Sequence, residues 1–324
     1  MDLNLVKDKF EIRKQEVNGE NKLMNIMRHI DPCARLCYKS QNTKGDEGTK
    51  TFVNGLIKTG HLSPLEHAAV YLKGGKELLK YMFNEFSIVS VVKGETVYVS
   101  TNYRVIVENK WEDDLKYMVD PDWNFHEKRI TVFLTVDRGV GEEYLRHRPS
   151  SFSKESTRYV NYTKDRHGNA ANIIIPEVDF PDMPEGIAIK METLDETKNT
   201  GETVWGIITH ENYEYTQKDP SNPTIYEVIY YQGTPEYDYL DGQADSMNSY
   251  NKMVKVHGWD AQRARRQLSL NIKGEFAMTA WEKEWQHVMN LRTHETTGKA
   301  HPDMRHINDR IYELLHSSNE YNIK

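Results

Sequence analysis

Apolar and polar residues alternate at 129–136, where Ile130, Val132, Leu134 and Val136 share one face, as in a half-buried strand. Similar patterning predicts strands at 69–73, at 172–176, at 204–208 and at 224–231. Segments 86–92 and 95–107 read as an antiparallel pair joined by Lys93-Gly94. Helical spacing marks 21–38 through Leu23, Met24, Met27 and Ile30, interrupted by Asp31-Pro32. A second helix is predicted over 50–59, with Phe52, Leu56 and Ile57 inward and Gly60 just past its end. Further helices are predicted at 76–83, at 239–257 and from the capping residue Asp260 to Arg266. Met278, Trp281, Trp285, Val288 and Arg292 recur at spacings of three and four, predicting a helix over 275–291. Pro302 opens the last helix, with Met304, Ile307, Ile311 and Leu314 as its core face. Residues 1–20 are charged and weakly patterned and read as a frayed start, and 111–127 as acidic and turn-rich.

Composition narrows the class. A chain of 324 residues holds one large domain or two ordinary ones. Acidic residues, Thr, Tyr and Gly gather at about 185–240, which reads as an insertion in a single catalytic domain spanning 1–324. The net charge of −7 argues against general nucleic-acid binding but not against a local anion site. The two cysteines, Cys33 and Cys37, make neither a disulfide framework nor a zinc site. No apolar run approaches the roughly 20 residues of a membrane span, and the start lacks a signal-peptide core, so a cytoplasmic protein is expected.

Against this acidic background, 143–159 is a local exception. Arg146, His147, Arg148 and Arg158 lie close in sequence to Ser151 and Ser156, on what reads as a short helix ending at Pro149 and then a hydroxyl-rich loop. Guanidiniums so close together repel unless anions lie between them. A phosphorylated ligand and a structural ion-pair cluster both answer that requirement. His61, Ser63 and Glu66 form a second polar knot, in which His61 either closes a helix C-terminus beside Glu66 or serves a site. Arg263, Arg265, Arg266 and Arg292 are either solvated or directed at a buried anion. His287, His294, His301 and His306 invite a metal reading, but Gly298 and Pro302 break any common helix, and no metal is assigned. The glycine fingerprints of P-loop and Rossmann nucleotide sites are missing, as is a G-x-S-x-G elbow.

Arg146-His147-Arg148, followed after seven residues by Ser156, resembles the signature of the flavin-dependent thymidylate synthases, and Thr157-Arg158-Tyr159 continues it. Ala34-Arg35-Leu36-Cys37-Tyr38 is similar to that family's first helix, and Gly60-His61-Leu62-Ser63-Pro64-Leu65-Glu66-His67 to its G-H-x-[ST]-P-x-E-H block. Leu268-Ser269-Leu270-Asn271, preceded by Arg265, and Leu291-Arg292 resemble its C-terminal blocks. The resemblance covers most of the chain outside 185–240 and the extreme N-terminus. It implies an α/β fold of α+β type, with a central antiparallel or mixed sheet flanked by helices. It also implies a homotetramer whose active sites are shared between subunits. FAD would be bound without a Rossmann fold, and dUMP would be methylated at C5. The carbon donor would be 5,10-methylenetetrahydrofolate, with NADPH as reductant through the flavin and no cysteine nucleophile.

Carried over by position, His61, Ser63, Glu66, Arg146, His147 and Arg148 would contact FAD, with Lys154, Trp281, Lys283 and His287 around the flavin. Glu143, Ser156, Thr157 and Arg158 would bind dUMP, bordered by Arg146, Lys154 and Glu155. Arg265 would reach dUMP from another subunit, and Arg292 would sit at the uracil and favour ionisation of N3–H. Arg292 and Ser156 are the catalytic candidates. The chain departs from the family at Glu143, where glutamine is common, at Lys154, where an acidic or amide residue is usual, and at Trp281, Lys283 and His287, where Asn, Arg and Asn are frequent. Competing readings are dUMP hydroxymethylation on the same fold and a non-catalytic nucleotide- or RNA-binding oligomer. The acidic charge weighs against the oligomer; neither a nucleic-acid nor a membrane partner is expected.

Overall fold

The computed structural model describes residues 2–156, 162–163, 171–195, 200–218, 226–318 and 320–324. Among these the chain forms twelve strands and nine α-helices, numbered here in chain order, with 3₁₀ turns between them. None of these helices is long and apolar enough to cross a membrane. The fold is α/β, with separate sheets flanked by helices. The chain divides into two compact units: Met1–Lys9, Thr135–Glu143 and Ser156–Gly274 form the first, and Phe10–Leu134, Tyr144–Glu155 and Glu275–Lys324 the second.

The first unit contains a mixed five-stranded sheet. Strand β1 (Leu3–Val6) runs parallel to β8 (Ala171–Ile174) and antiparallel to β9 (Gly186–Asp195). Strands β10 (Thr200–Ile208) and β11 (Val228–Tyr231) extend the sheet antiparallel beyond β9. The supposedly frayed start is therefore ordered. Strand β1 is too short to show a period, yet it buries Leu3 and Leu5 completely. The acidic segment at 185–240 supplies three of the five strands. At Gly186 the neighbouring strand comes so close that a Cβ would lie 2.2 Å from the Ile208 carbonyl oxygen. Helix α6 (Pro235–Lys255) starts earlier than its apolar spacing predicts, because Thr234 caps it and Pro235 fits the first turn. Its Tyr237, Leu240, Met247 and Tyr250 join Leu3, Leu5, Trp205 and Ile207 in one core.

The second unit has its own core, built from Ile26, Ile30, Val53, Leu56, Leu65, Leu72, Val97, Val99 and Ile106. Helix α1 (Lys22–Tyr38) runs unbroken through Pro32, against the expected interruption. Proline removes one helical hydrogen bond, while the flanking Ile30, Cys33 and Ala34 stay fully buried. Helix α2 (Gly45–Lys58) is followed by a 3₁₀ turn (Ser63–His67) and an antiparallel sheet ordered β3 (Ala69–Gly74), β5 (Thr96–Asn102), β4 (Ile88–Val92). Residues 76–83 form a 3₁₀ helix. The strand expected to reach residue 107 stops at Asn102, whose side chain caps α3 (Tyr103–Glu108) by accepting from the Val105 N–H at 3.1 Å. A local cap thus overrides the β preference of Val105, Ile106 and Val107.

A four-stranded sheet, most of whose residues belong to this unit, has the order β2 (Lys9–Arg13), β6 (Arg129–Asp137), β12 (Lys273–Trp281), β7 (Ser151–Lys154). The helix predicted over 275–291 is two elements: β12 ends at Trp281, and α8 (Glu282–Arg292) begins there. Lying between β6 and β7, β12 is buried from Phe276 to Trp281, which erases the alternation that marks a strand. The loop expected after Pro149 is likewise partly strand β7, and Ser151 and Ser153 are buried. In α9 (Pro302–Ser317), Leu315 takes the core position predicted for Leu314, which is 50% exposed.

Candidate active site

Gly60, at φ +72, lets α2 end in a pair of hydrogen bonds: Gly60 N–H donates to Ile57 O and His61 N–H to Leu56 O. This fixes His61, whose Nδ1 lies 2.6 Å from the Tyr38 hydroxyl. Glu66 does not satisfy His61; it pairs with Arg104 of α3, which also bonds Glu108. Ser63 is exposed at the start of the 3₁₀ turn.

The last residue of that turn, His67, enters the core. Its Nδ1 is 2.7 Å from Thr279 Oγ1 on β12, and its Nε2 is 3.0 Å from Ser153 Oγ on β7. Thr279 also meets Thr131 of β6 at 2.7 Å, and Thr131 meets His29 Nε2 of α1 at 2.9 Å. All five side chains are buried. Burial, then the charges of Arg13 and Arg129, lowers His29 to about 3. Burial, with His29 and Arg129 nearby, also holds His67 well below its usual value. The seam is therefore neutral, and it ties the 3₁₀ turn to the two strands that carry Lys154 and Trp281. Burial raises both thiols, Cys33 and Cys37, which leaves neither as a ready thiolate.

Helix α4 (Arg138–Tyr144) stops before the arginine pair, so Arg146-His147-Arg148 occupies a turn rather than the predicted helix. His147 N–H donates to Tyr144 O at 3.0 Å. Arg146 and Arg148 are exposed, while His147 is buried between them in sequence. Arg292, at the end of α8, donates from Nε to His147 Nε2 at 3.3 Å. Accepting at Nε2 leaves the ring proton of neutral His147 on Nδ1. His287 presents its ring edge-on to His147, 6.4 Å between centroids. The structure thus brings together Arg292, His287 and the arginine–histidine turn, although 145 residues separate Arg292 from His147. Lys283 is exposed on α8.

Glu155 is buried and paired with Lys39 at 2.9 Å, and Lys154 continues β7 opposite Phe276. Glu143, Ser156 and Arg265 are half-buried and belong to the first unit. Thr157 and Arg158 lie outside the described residues. The three other histidines of the suggested metal group have separate neighbours: His294 the Lys324 carbonyl, His301 Asp303, and His306 Arg310. A cavity of about 560 Å³ lined by Arg35, Lys44, Thr51, Phe52 and Thr59 contains none of the candidate cofactor or substrate residues.

No sequence motif points to Arg129. It stacks on Trp281 at 5.0 Å and donates from Nη2 to Ser151 Oγ at 2.7 Å. Its Nε and Nη1 are buried with no hydrogen-bond partner among the described residues. Burial lowers its pKa to about 10, opposed by the charge of Glu66, so it remains a cation.

Residues 124–318 match the model of the thymidylate synthase complementing protein family. No curated protein matches the chain. Among solved structures, the UMP/dUMP methylase PolB from Streptomyces cacaoi bound with 5-Br dUMP is similar at 12% identity, over 96% of this chain and 91% of that one, with a TM-score of 0.38. Thymidylate synthase X from Helicobacter pylori with FAD and dUMP is similar at 13% identity, over 58% of this chain and 67% of that one, with a TM-score of 0.32. Because the family model spans more than half of the sequence and includes the arginine–histidine turn and Arg292, the chain belongs to the thymidylate synthase complementing protein family.

Proposed function

We propose that the protein is a flavin-dependent thymidylate synthase, a methyltransferase that converts dUMP to dTMP with 5,10-methylenetetrahydrofolate as carbon donor and NADPH as reductant. The observation that carries this reading is the bond from Arg292 Nε to His147 Nε2, which joins two distant family blocks. The donor set suits FAD: exposed Arg146 and Arg148 match phosphate oxygens, and His61, Ser63, Glu66, His147, Lys154, Trp281, Lys283 and His287 would complete the hold. When bound, FAD would supply two-electron transfer from NADPH to the carbon unit.

The chain's own residues account for activation of the nucleotide. Arg292, oriented by His147, would place positive charge at the uracil and favour loss of the N3 proton. The resulting charge, shared with O2 and O4, weakens the pull of the C4 carbonyl on the C5–C6 double bond, so the electron density that N1 feeds through C6 makes C5 the nucleophile. The raised thiols of Cys33 and Cys37 agree with a reaction that uses no cysteine nucleophile. Glu143, Arg146, Lys154, Glu155, Ser156, Thr157, Arg158 and Arg265 would hold dUMP, with sites shared in a homotetramer. The test is turnover of dUMP with both co-substrates by wild type and Arg292→Ala. The variant is expected to lose at least about 100-fold in dTMP formation, the scale of removing one preorganised donor. Full activity in the variant would refute the role given to Arg292.

A further inference from the structure

Arg129 is a half-buried cation, two of whose nitrogens are shut away from solvent with their hydrogen bonding unfinished. One of its nitrogens is held by Ser151, while Nε and Nη1 meet no acceptor among the described residues. Each buried N–H without a partner costs stability, and a buried charge costs more. Such a group calls for an explanation, and a ligand carrying acceptors is one that can be tested. Its surroundings point to which ligand. Arg129 lies over Trp281 and bonds Ser151 on the strand that carries Lys154, so two segments assigned to the flavin meet at it, and the charge of Glu66 from a third is felt there.

We propose that Arg129 is a flavin-anchoring residue, its guanidinium taking the electron-rich carbonyl edge of the isoalloxazine and stabilising the anionic reduced form. The inference rests on the flavin reading above. Two-electron reduction with uptake of one proton leaves a flavin with one additional negative charge, and a fixed cation beside it favours that state. The arginine is thus retained for the ligand at the expense of the ligand-free chain.

The experiment compares wild type with Arg129→Met and Arg129→Lys, stripped of flavin and titrated with FAD. Arg129→Met should bind FAD at least tenfold more weakly, while its ligand-free form resists urea as well as wild type or better. For the bound variant, the ratio of reduced to oxidised flavin at a fixed potential should fall at least tenfold, equivalent to about 30 mV for a two-electron couple. Arg129→Lys, which keeps the charge, should recover most of the potential. A purely structural arginine gives the opposite pattern: lower urea resistance with unchanged FAD affinity and potential. An FAD affinity within threefold of wild type in both variants overturns the proposal, whatever happens to stability. If wild type itself binds no FAD, the flavin reading fails and this inference falls with it. Binding by wild type and both variants alike removes only the role of Arg129.

Discussion

Acidification should destabilise the second unit through two buried histidines rather than through its carboxylates. His29 and His67 are neutral in the folded chain, with pKa values below the ordinary 6.5. Unfolding exposes both, so below 6.5 the unfolded state binds protons that the folded state refuses. A histidine depressed in this way contributes stability above its unfolded pKa and loses it as pH falls towards its folded value. One pH unit is worth about 1.4 kcal/mol for each fully displaced proton. From about pH 7.5 to about pH 5.5 each histidine therefore costs on the order of 1 kcal/mol, and the pair about 3 kcal/mol at most. That is a large share of a typical stability of about 5–15 kcal/mol. The groups facing the pair reinforce the sign, because Arg13 and Arg129 lie near His29, and Arg129 near His67. The assay is urea unfolding of wild type and a His29→Gln/His67→Gln double variant across this range. Wild type should lose up to about 3 kcal/mol and the double variant under about 1 kcal/mol. An equal loss in both, or a wild-type loss below about 0.5 kcal/mol, refutes the neutral seam.

Two further substitutions probe the same region. Thr279→Val keeps the side-chain shape but removes the hydroxyl shared by His67 and Thr131, and should cost about 1–3 kcal/mol in urea unfolding by stranding His67 Nδ1, while Thr131 keeps its bond to His29. A cost below about 0.5 kcal/mol would mean that water replaces the hydroxyl. Lys39→Met strands the Glu155 carboxylate and should cost about 2–4 kcal/mol, much of it restored by adding Glu155→Gln. Unchanged stability in the single variant would show that this buried pair carries no net weight.

What the sequence revealed depended on how local its signals were. Gly60 announced the end of α2, and its positive φ places His61 as the spacing implied. The arginine–histidine turn and Arg292 were legible as blocks, although not as neighbours, because nothing local records a contact across 145 residues. The partners of His61 and Glu66 were not legible, because each finds a group on another element, Tyr38 and Arg104. Strand β12 was mistaken for helix because burial on both faces removes the period of two. The seam through His67 joins residues 212 positions apart and has no pattern of its own. Arg129 was invisible for a different reason: it belongs to no motif, and only three-dimensional burial reveals its missing partners.

The most direct measurement is the mass of the product formed when purified protein is given dUMP, 5,10-methylenetetrahydrofolate and NADPH. The proposed function predicts dTMP, formed by a protein that carries FAD and at a rate that depends on NADPH. A hydroxymethylated nucleotide, or no product from a protein that binds dUMP but no flavin, would contradict it.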